Sequence, residues 1–385
     1  MTDASSPMDP PQVLVADDQA DVLDALRLLL QGEGLAIEAV QSPAGVLGAL
    51  DRREFDLLLM DLNYARDTTS GREGLDLLSR IRASDAQLPV VVMTGWGTME
   101  IAIEALRNGV CDFVQKPWDN DHLVDLVQRL ATKRRDDRHA AAKRRRELRE
   151  ARDIQQRLLP AALPRRPGWD LAAACEAAAS VGGDTYDVIE ADPTHLAVTI
   201  ADVAGKGIPA ALLAASVQAA VRSAVAAGLG PSDVCARVNR DLRAVLPDDR
   251  FVTFFIGLLD TTRAVLRYTN AGHNPPLVLG ADGHCARLSG GGMVLGLDAD
   301  TRYEERRVAL ARGDVLVLYT DGITEAADGA SEEFGEARLA ARCAADRGGG
   351  AGDMRDRLLA EVQVFSDGRR DDDQTVVIVC RDGPA

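Results

Sequence analysis

Short apolar runs alternate with amphipathic stretches from Gln12 to about Leu130. VLVAD leads into VLDALRLLL, DLLLMD into GLDLLSRIR, PVVVMTG into MEIAIEALRNG, and CDFVQK into HLVDLVQRL. Strands spaced by such helices predict a parallel sheet with right-handed crossovers. Sheets of that kind bind their ligands beyond the carboxyl ends of the strands. Asp17 and Asp18 close the first run there, Asp61 the third strand, Thr94 the fourth, and Lys116 follows the last.

Helical character continues past Leu130 through LATKRRDDRHAAAKRRRELREARDIQQRLLP. A coiled coil needs apolar a and d positions throughout. Steps of seven from Leu123 meet Leu130, Asp137, Arg144, Ala151 and Leu158, so the ends fit and the middle fails. The pattern predicts a helix over 131–160 without demonstrating a dimer seam. Leu148, Ala151, Ile154, Leu158 and Leu159 form a candidate apolar stripe ending at Pro160. As the covalent path between two cores, this helix is expected to carry the state of the first to the second.

From about Trp169 the texture changes. HLAVTIAD, RFVTFFIGLLD, AVLRYTN, DVLVLYTD and QTVVIVC follow turns, several with no helix between them. Helical stretches come in blocks, at Pro209–Ala227, Ser232–Val245 and Met354–Val364. Runs of strands and blocks of helices predict an α+β sandwich with mostly antiparallel sheets. The fold class is therefore α/β plus α+β. The expected division is a disordered lead at 1–11, the α/β domain at 12–130, the helical linker at 131–160 and the sandwich domain at 161–385.

Composition adjusts this picture only slightly. The 385 residues exceed one ordinary core, and 46% apolar with 27% charged residues is the balance of a soluble globular chain. No uncharged stretch reaches the roughly 20 strongly apolar residues of a membrane helix; Gly207–Val221 is ended by Arg222. The acidic, polar start MTDASSPMDPP is unlike a signal peptide. Six cysteines stand singly with no CxxC, the pattern of reduced cytoplasmic thiols. Net charge is −16, yet Ala131–Arg152 holds ten Lys/Arg against four Asp/Glu. That run is the one basic face a nucleic acid could use, and it reads more simply as a solvated helix. A cytoplasmic protein with no membrane and no nucleic-acid partner is expected.

Three carboxylates, a hydroxyl and an ammonium at one sheet edge have an electrostatic logic. Two acids bind Mg²⁺, the third becomes a nucleophile, and Lys116 offsets charge on arriving phosphoryl oxygens. Any one aspartate alone reads as a helix cap; the five residues together, with Lys116-Pro117 adjoining, do not. They resemble response-regulator receiver domains over residues 12–130. The resemblance implies a doubly wound, five-stranded parallel sheet with Asp61 as phosphoacceptor and a cognate histidine kinase as partner. It places Mg²⁺ on Asp18, Asp61 and the Asn63 carbonyl with help from Asp17. It sets Thr94 against the phosphoryl group and Phe113 at the aromatic switch position. The segment NYARDTTSGREG after Asp61 is longer than the loop usual there.

Four more aspartates stand in separated turns: Asp184 in VGGDTYD, Asp202 in IADVAGKG, Asp321 in LYTDGITE and Asp372 in DDDQTVVIV. Three of the turns adjoin a β-type run, so the carboxylates can converge at one end of the sandwich. Hard divalent cations prefer several such oxygens, and like charges that close repel without a cation. Two cations can activate a bridging water and clamp an in-line phosphoryl transfer. Each aspartate alone reads as a turn residue. No Ser-His-Asp arrangement or CxxxxxR-type thiolate loop competes.

GGDTYD, ADVAGKG, NAGHNPP, YTDGITE and DDDQT resemble the stage II sporulation branch of the type 2C metal-dependent protein serine/threonine phosphatases. IQQRLLP, just upstream, looks similar to that family too. The resemblance implies an α-β-β-α sandwich, catalytic Asp184, Asp202, Asp321 and Asp372, and two Mn²⁺ or Mg²⁺ ions. Asp184 and Asp202 would bridge the metals, the Val203 carbonyl would bind one, and Asp321 and Asp372 would complete the other side. Either Asp372 or Asp373 could be the direct ligand, and the motif register favours Asp372. Where the eukaryotic-type enzymes carry a His after the second aspartate, this chain reads Ala204-Gly205-Lys206-Gly207, so a His acid is absent there. His273 in AGHNPP reads as shaping the turn before Pro275-Pro276.

The expected function is a two-component response regulator with phosphatase output. Phosphorylation at Asp61 would control dephosphorylation of a phosphoserine or phosphothreonine partner, in the resembled family an anti-sigma-factor antagonist. The alternative is a non-catalytic adaptor using the phosphatase fold as a binding surface; retention of all four aspartates favours the enzyme. A homodimer through receiver or linker stays open, as does the direction of the phosphorylation effect.

Overall fold

The computed structural model describes residues 9–64, 72–95, 106–247, 249–346 and 349–382. The chain forms two compact units, Met1–Arg145 and Arg146–Ala385. Most of the loop NYARDTTSGREG, the first part of MEIAIEALRNG and the lead as far as residue 8 lie outside the described residues.

In the first unit the elements are β1 (Gln12–Ala16), α1 (Ala20–Gln31), β2 (Ala36–Val40), α2 (Pro43–Arg52), β3 (Leu57–Asp61), α3 (Arg72–Ser84), β4 (Val90–Thr94), β5 (Asp112–Gln115) and the start of α4 (Asn120–Leu158). The sheet runs β2-β1-β3-β4-β5 with every pair parallel. Successive strand residues point to opposite faces, and both faces are covered. Leu14, Leu58, Met60 and Val92 pack with Val46, Ala49, Leu77 and Ile81 of α2 and α3. Val13, Val15, Leu59 and Val91 pack with Leu26 and Leu30 of α1 and with Leu123, Leu126 and Val127 of α4. This is why the strands are nearly unbroken apolar runs.

The second unit contains β6 (Trp169–Glu176), β7 (Thr185–Glu190), β8 (His195–Val203), α5 (Ile208–Ala226), α6 (Pro231–Arg243), β9 (Val252–Asp260), β10 (Val265–Ala271), β11 (Leu277–Leu279), β12 (Cys285–Arg287), β13 (Gly291–Gly292), β14 (Arg306–Ala309), β15 (Val315–Tyr319), α7 (Asp321–Thr324), α8 (Gly335–Ala345), α9 (Gly350–Phe365) and β16 (Gln374–Arg381). One sheet runs β13-β10-β9-β8-β7, with β14 also on β10, and the other β12-β11-β15-β16-β6. Pairing is antiparallel except at the two-residue β13.

Three apolar layers give an α-β-β-α sandwich. Between the sheets, Val198, Ile200, Phe255 and Leu266 meet Leu316, Leu318, Val377 and Val379. The alternate residues Ala201, Val203, Phe254 and Ile256 face α5 and α6, while Val315, Val317, Val376 and Ile378 face α8 and α9.

Two readings of the pattern need adjustment. β6 and β7 were not among the expected strands. β6 reads WDLAAACE, poor in β-branched residues, and is a strand because it pairs with β16 along its length, Trp169 to Arg381 through Glu176 to Gln374. The helix expected over Pro209–Ala227 forms at Ile208–Ala226. By length and composition Ile208–Ala226 is one helix among the described residues that could cross a membrane. Here Ala210, Ala214, Val217, Val221 and Val225 lie in the helix–sheet core, and Arg222 ion-pairs with Asp187. Finally, Ile154 is 64% exposed. The half-buried positions on that stretch of α4 are Leu148, Ala151, Gln155 and Leu158, so a polar residue stands where the apolar stripe was expected.

Phe255 is buried between the sheets and stacks on Tyr268 with ring centroids 5.7 Å apart. Phe255→Ala should cost roughly 3–5 kcal/mol in denaturant unfolding.

Candidate functional site

The parallel pairing of β1 with β3 brings their carboxyl ends together. Asp17 and Asp18 follow β1, Asp61 ends β3, and oxygens of the three carboxylates all lie within 4.8 Å of one another. Lys116, just after β5, donates from Nζ to Asp17 Oδ2 and to Asp61 Oδ2, each at 2.6 Å. Burial pulls the Lys116 pKa down, but these bonds outweigh it and hold the ammonium above the usual lysine range. The Asn63 N–H donates to Asp61 Oδ1 at 3.0 Å. Thr94 ends the neighbouring β4, and Phe113 on β5 is 44% exposed. The Lys116-Pro117 peptide is cis. Three carboxylates against one ammonium leave negative charge over, a donor set that fits a hard divalent cation.

In the second unit Asp184 immediately precedes β7 and Asp202 lies near the end of β8, in strands that pair Thr185 with Ala201. Asp321 begins α7 directly after β15, and Asp372 precedes β16, its antiparallel partner. Thr320 and Thr375 then join the two sheets: each donates from Oγ1 to Asp184 Oδ2 at 2.7 Å. Neither threonine was singled out from the sequence. Thr320 adjoins Asp321 and Thr375 lies three residues past Asp372, but nothing in such a neighbourhood says which distant carboxylate the hydroxyl will meet.

Among the described residues these carboxylates lack a central counter-charge equivalent to Lys116. Burial, then the Asp202 charge, pushes Asp184 well above the carboxylate range. Burial followed by Asp321, Asp372 and Asp373 pushes Asp202 up to about 7. Burial and then Asp372 raise Asp321. No three of the four have oxygens all within 4.8 Å, in contrast to the first site, among the described residues. The site is nonetheless an all-oxygen set of mutually repelling acids, which divalent cations would relieve.

The adjacent acids are not equivalent. Asp373 accepts at Oδ1 from Ala178 N–H (2.8 Å) and at Oδ2 from Gly183 N–H (2.6 Å) and Asp184 N–H (3.4 Å). Asp372 is exposed, with Oδ2 3.0 Å from Lys206 Nζ. The glycines of these motifs answer to close approach: a Cβ on Gly182 would overlap the Asp373 carboxylate, and one on Gly322 the Asp373 backbone. His273 is buried, with Nδ1 2.8 Å from Thr253 Oγ1 and Nε2 3.1 Å from the Tyr319 carbonyl. Burial takes its pKa down to about 4. The neutral ring accepts from Thr253, which lies opposite Asp202, and donates to the residue before Thr320-Asp321.

The family model for stage II sporulation protein E (SpoIIE) matches residues 192–382, and that for the response regulator receiver domain matches 13–128. The chain carries a receiver domain followed by a SpoIIE-type phosphatase domain. The phosphatase-side match begins after Asp184. The chain is similar to protein IcfG of Synechocystis sp., 32% identical over 221 residues, covering 50% of this chain and 35% of that protein. It is similar to phosphoserine phosphatase RsbU of Bacillus subtilis, 33% identical over 180 residues, covering 46% of this chain and 53% of that protein. It thus spans about a third to a half of the length of these relatives. A crystal structure of the RsbU and RsbW domains of a Mycobacterium tuberculosis protein superposes with a TM-score of 0.51 at 28% identity, covering 59% of this chain and 64% of that one.

An acid whose folded pKa is raised contributes stability below its unfolded pKa and loses it as pH rises through the folded one. For Asp202 that window runs from about 4 to about 7. In EDTA, wild type should therefore lose on the order of 4 kcal/mol at most relative to Asp202→Asn between about pH 4 and about pH 8, read by urea unfolding. Mn²⁺ at about pH 8 should restore wild type and not the variant.

Proposed function

We infer that this chain is a response regulator whose output is metal-dependent hydrolysis of phosphoserine or phosphothreonine on a partner protein, under control of phosphorylation at Asp61. The observation that carries this reading is the set of acids Asp184, Asp202 and Asp321, each pushed up by burial and by neighbouring carboxylates, with Asp372 beside them at the same end of the sandwich. The name of the relative RsbU, a phosphoserine phosphatase, supports the substrate class. The assignment runs as receiver 12–130, linker 131–160 and phosphatase 161–385, with the boundary between compact units inside the linker.

In the phosphatase, Asp184, Asp202, Asp321, Asp372 and the Val203 carbonyl would hold two Mn²⁺ or Mg²⁺. Such a pair supplies an activated water and offsets charge on the phosphoryl group. Thr320 and Thr375 orient Asp184, and Asp373 holds the Gly183–Asp184 backbone in place. Asp373 is taken up by N–H groups of the 178–184 segment, whereas Asp372 is exposed and, among the described residues, bonded only to Lys206 and its neighbour's N–H, which supports Asp372 as the ligand of the pair. Lys206 brings an ammonium beside Asp372. His273, bonded on both ring nitrogens, stays neutral and shapes the site, so the leaving-group proton comes from solvent.

In the receiver, Asp61 is the nucleophile; Asp17, Asp18 and the Asn63 carbonyl would hold Mg²⁺ with it. Lys116 and Thr94 steady the phosphoryl oxygens, and Phe113 reports the change. The donor is a histidine kinase and the substrate an anti-sigma-factor antagonist or similar phosphoprotein. Six free cysteines support a reducing, cytoplasmic setting.

The purified chain should hydrolyse an aryl phosphate with Mn²⁺ and stop in EDTA. Asp202→Asn should lower the rate about 100-fold or more. Undiminished metal-dependent turnover in that variant would sink the site assignment, and a metal-loaded but inactive wild type would favour the adaptor. Acetyl phosphate or beryllofluoride should change turnover of wild type and leave Asp61→Asn unchanged; an equal response in both would remove Asp61 from control.

A further inference from the structure

We propose that Gln155 is a positioning residue for Asp184, through which the end of helix α4 sets the metal affinity of the phosphatase site. The proposal rests on Asp184 being a metal ligand.

Gln155 and Gly182 exchange two hydrogen bonds. The side-chain Nε2 donates to the Gly182 carbonyl at 2.7 Å, and the Gly182 N–H donates to Oε1 at 3.1 Å. One side-chain amide thus satisfies both backbone groups of a loop residue, as a neighbouring strand would. Gly182 stands two residues before Asp184, and the opposite side of that loop is held by Asp373 through Gly183 N–H and Asp184 N–H. The segment 182–184 is therefore clamped between a helix and the approach to β16. Gln155, Asp184 and Asp373 line one cavity of about 30 Å³ together with Arg152 and Leu159.

The end of α4 is anchored a second time. The Leu158 carbonyl, one of those a helix leaves without an internal partner, accepts from Gln218 Nε2 and Arg222 Nη2, both at 2.9 Å. Arg222 also bonds Asp187 in β7, the strand that follows Asp184. Turning or sliding this part of α4 by one residue would break the Gln155 pair and the Leu158 bonds at once. The face is specific: Gln155 points inward and the adjacent Ile154 outward.

A post that merely supports the fold affects stability, whereas a residue that orients a ligand affects metal affinity, typically by about 10–100-fold. The test uses the full chain with the receiver site silenced by Asp18→Asn. Mn²⁺ binding is measured by calorimetry, and the Mn²⁺ concentration for half-maximal aryl phosphate hydrolysis is measured in parallel. Gln155→Ala, and Gln155→Met, which keeps length but neither hydrogen bond, should each weaken Mn²⁺ binding about tenfold and raise the half-maximal concentration by a similar factor. Ile154→Ala should leave both unchanged. Affinity within about twofold of the parent in either folded Gln155 variant overturns the proposal. It falls equally if both variants are unfolded by circular dichroism, since the residue is then a structural post. If Mn²⁺ binding in the parent survives Asp202→Asn, the metal-site reading itself fails, a result distinct from a failure at Gln155.

Discussion

Asp184 is fully buried, belongs to the segment entering the first sheet, and accepts both of its threonine hydrogen bonds from the second. Thr320 follows β15 and Thr375 lies in β16, so this one carboxylate joins the ends of three strands across the sandwich. A buried carboxylate is costly unless hydrogen-bonded and electrically balanced. The two hydroxyls provide the first condition. The second is missing, because the nearest charges are other acids. Much of the local structure follows from that imbalance: glycines where Asp373 must approach, Asp373 spent on backbone N–H groups, and Asp372 turned toward Lys206.

The receiver meets the same difficulty differently. Its three carboxylates crowd within 4.8 Å because Lys116 sits among them, bonding Asp17 and Asp61 at once. Among the described residues the phosphatase acids have no ammonium at their centre; Lys206 bonds the outermost, and burial with the neighbouring acids pushes Asp202 up to about 7. One site is preorganised by an internal cation. The other is poised to gain stability from an external one.

The strands and helices of the receiver were legible because β1, β3 and β4 are buried on both faces and each helix on one, so burial writes itself into the apolar pattern. The sandwich was legible where strands are near-continuous apolar runs rich in β-branched and aromatic residues, as in β8, β9 and β16. It was not legible at β6, where an alanine-rich segment takes its conformation from its partner strand. Sequence motifs marked Asp184, Asp202, Asp321 and Asp372, since a carboxylate in a glycine-marked or acidic turn is visible without a structure. Thr320, Thr375, Asp373 and Gln155 were not distinguishable in that way. Each acts on an atom more than 20 residues away, on another element.

By itself the sequence determined two architectures, their order, and which acidic turns could carry chemistry, because periodicity and turn composition are local properties of a chain. Tertiary structure decided that Asp373 accepts from distant backbone N–H groups while Asp372 pairs with Lys206, that His273 is a neutral brace, and that α4 turns Gln155 inward and Ile154 outward. Those outcomes depend on which distant donors and charges surround a group, and that surrounding exists only after the sheets have packed.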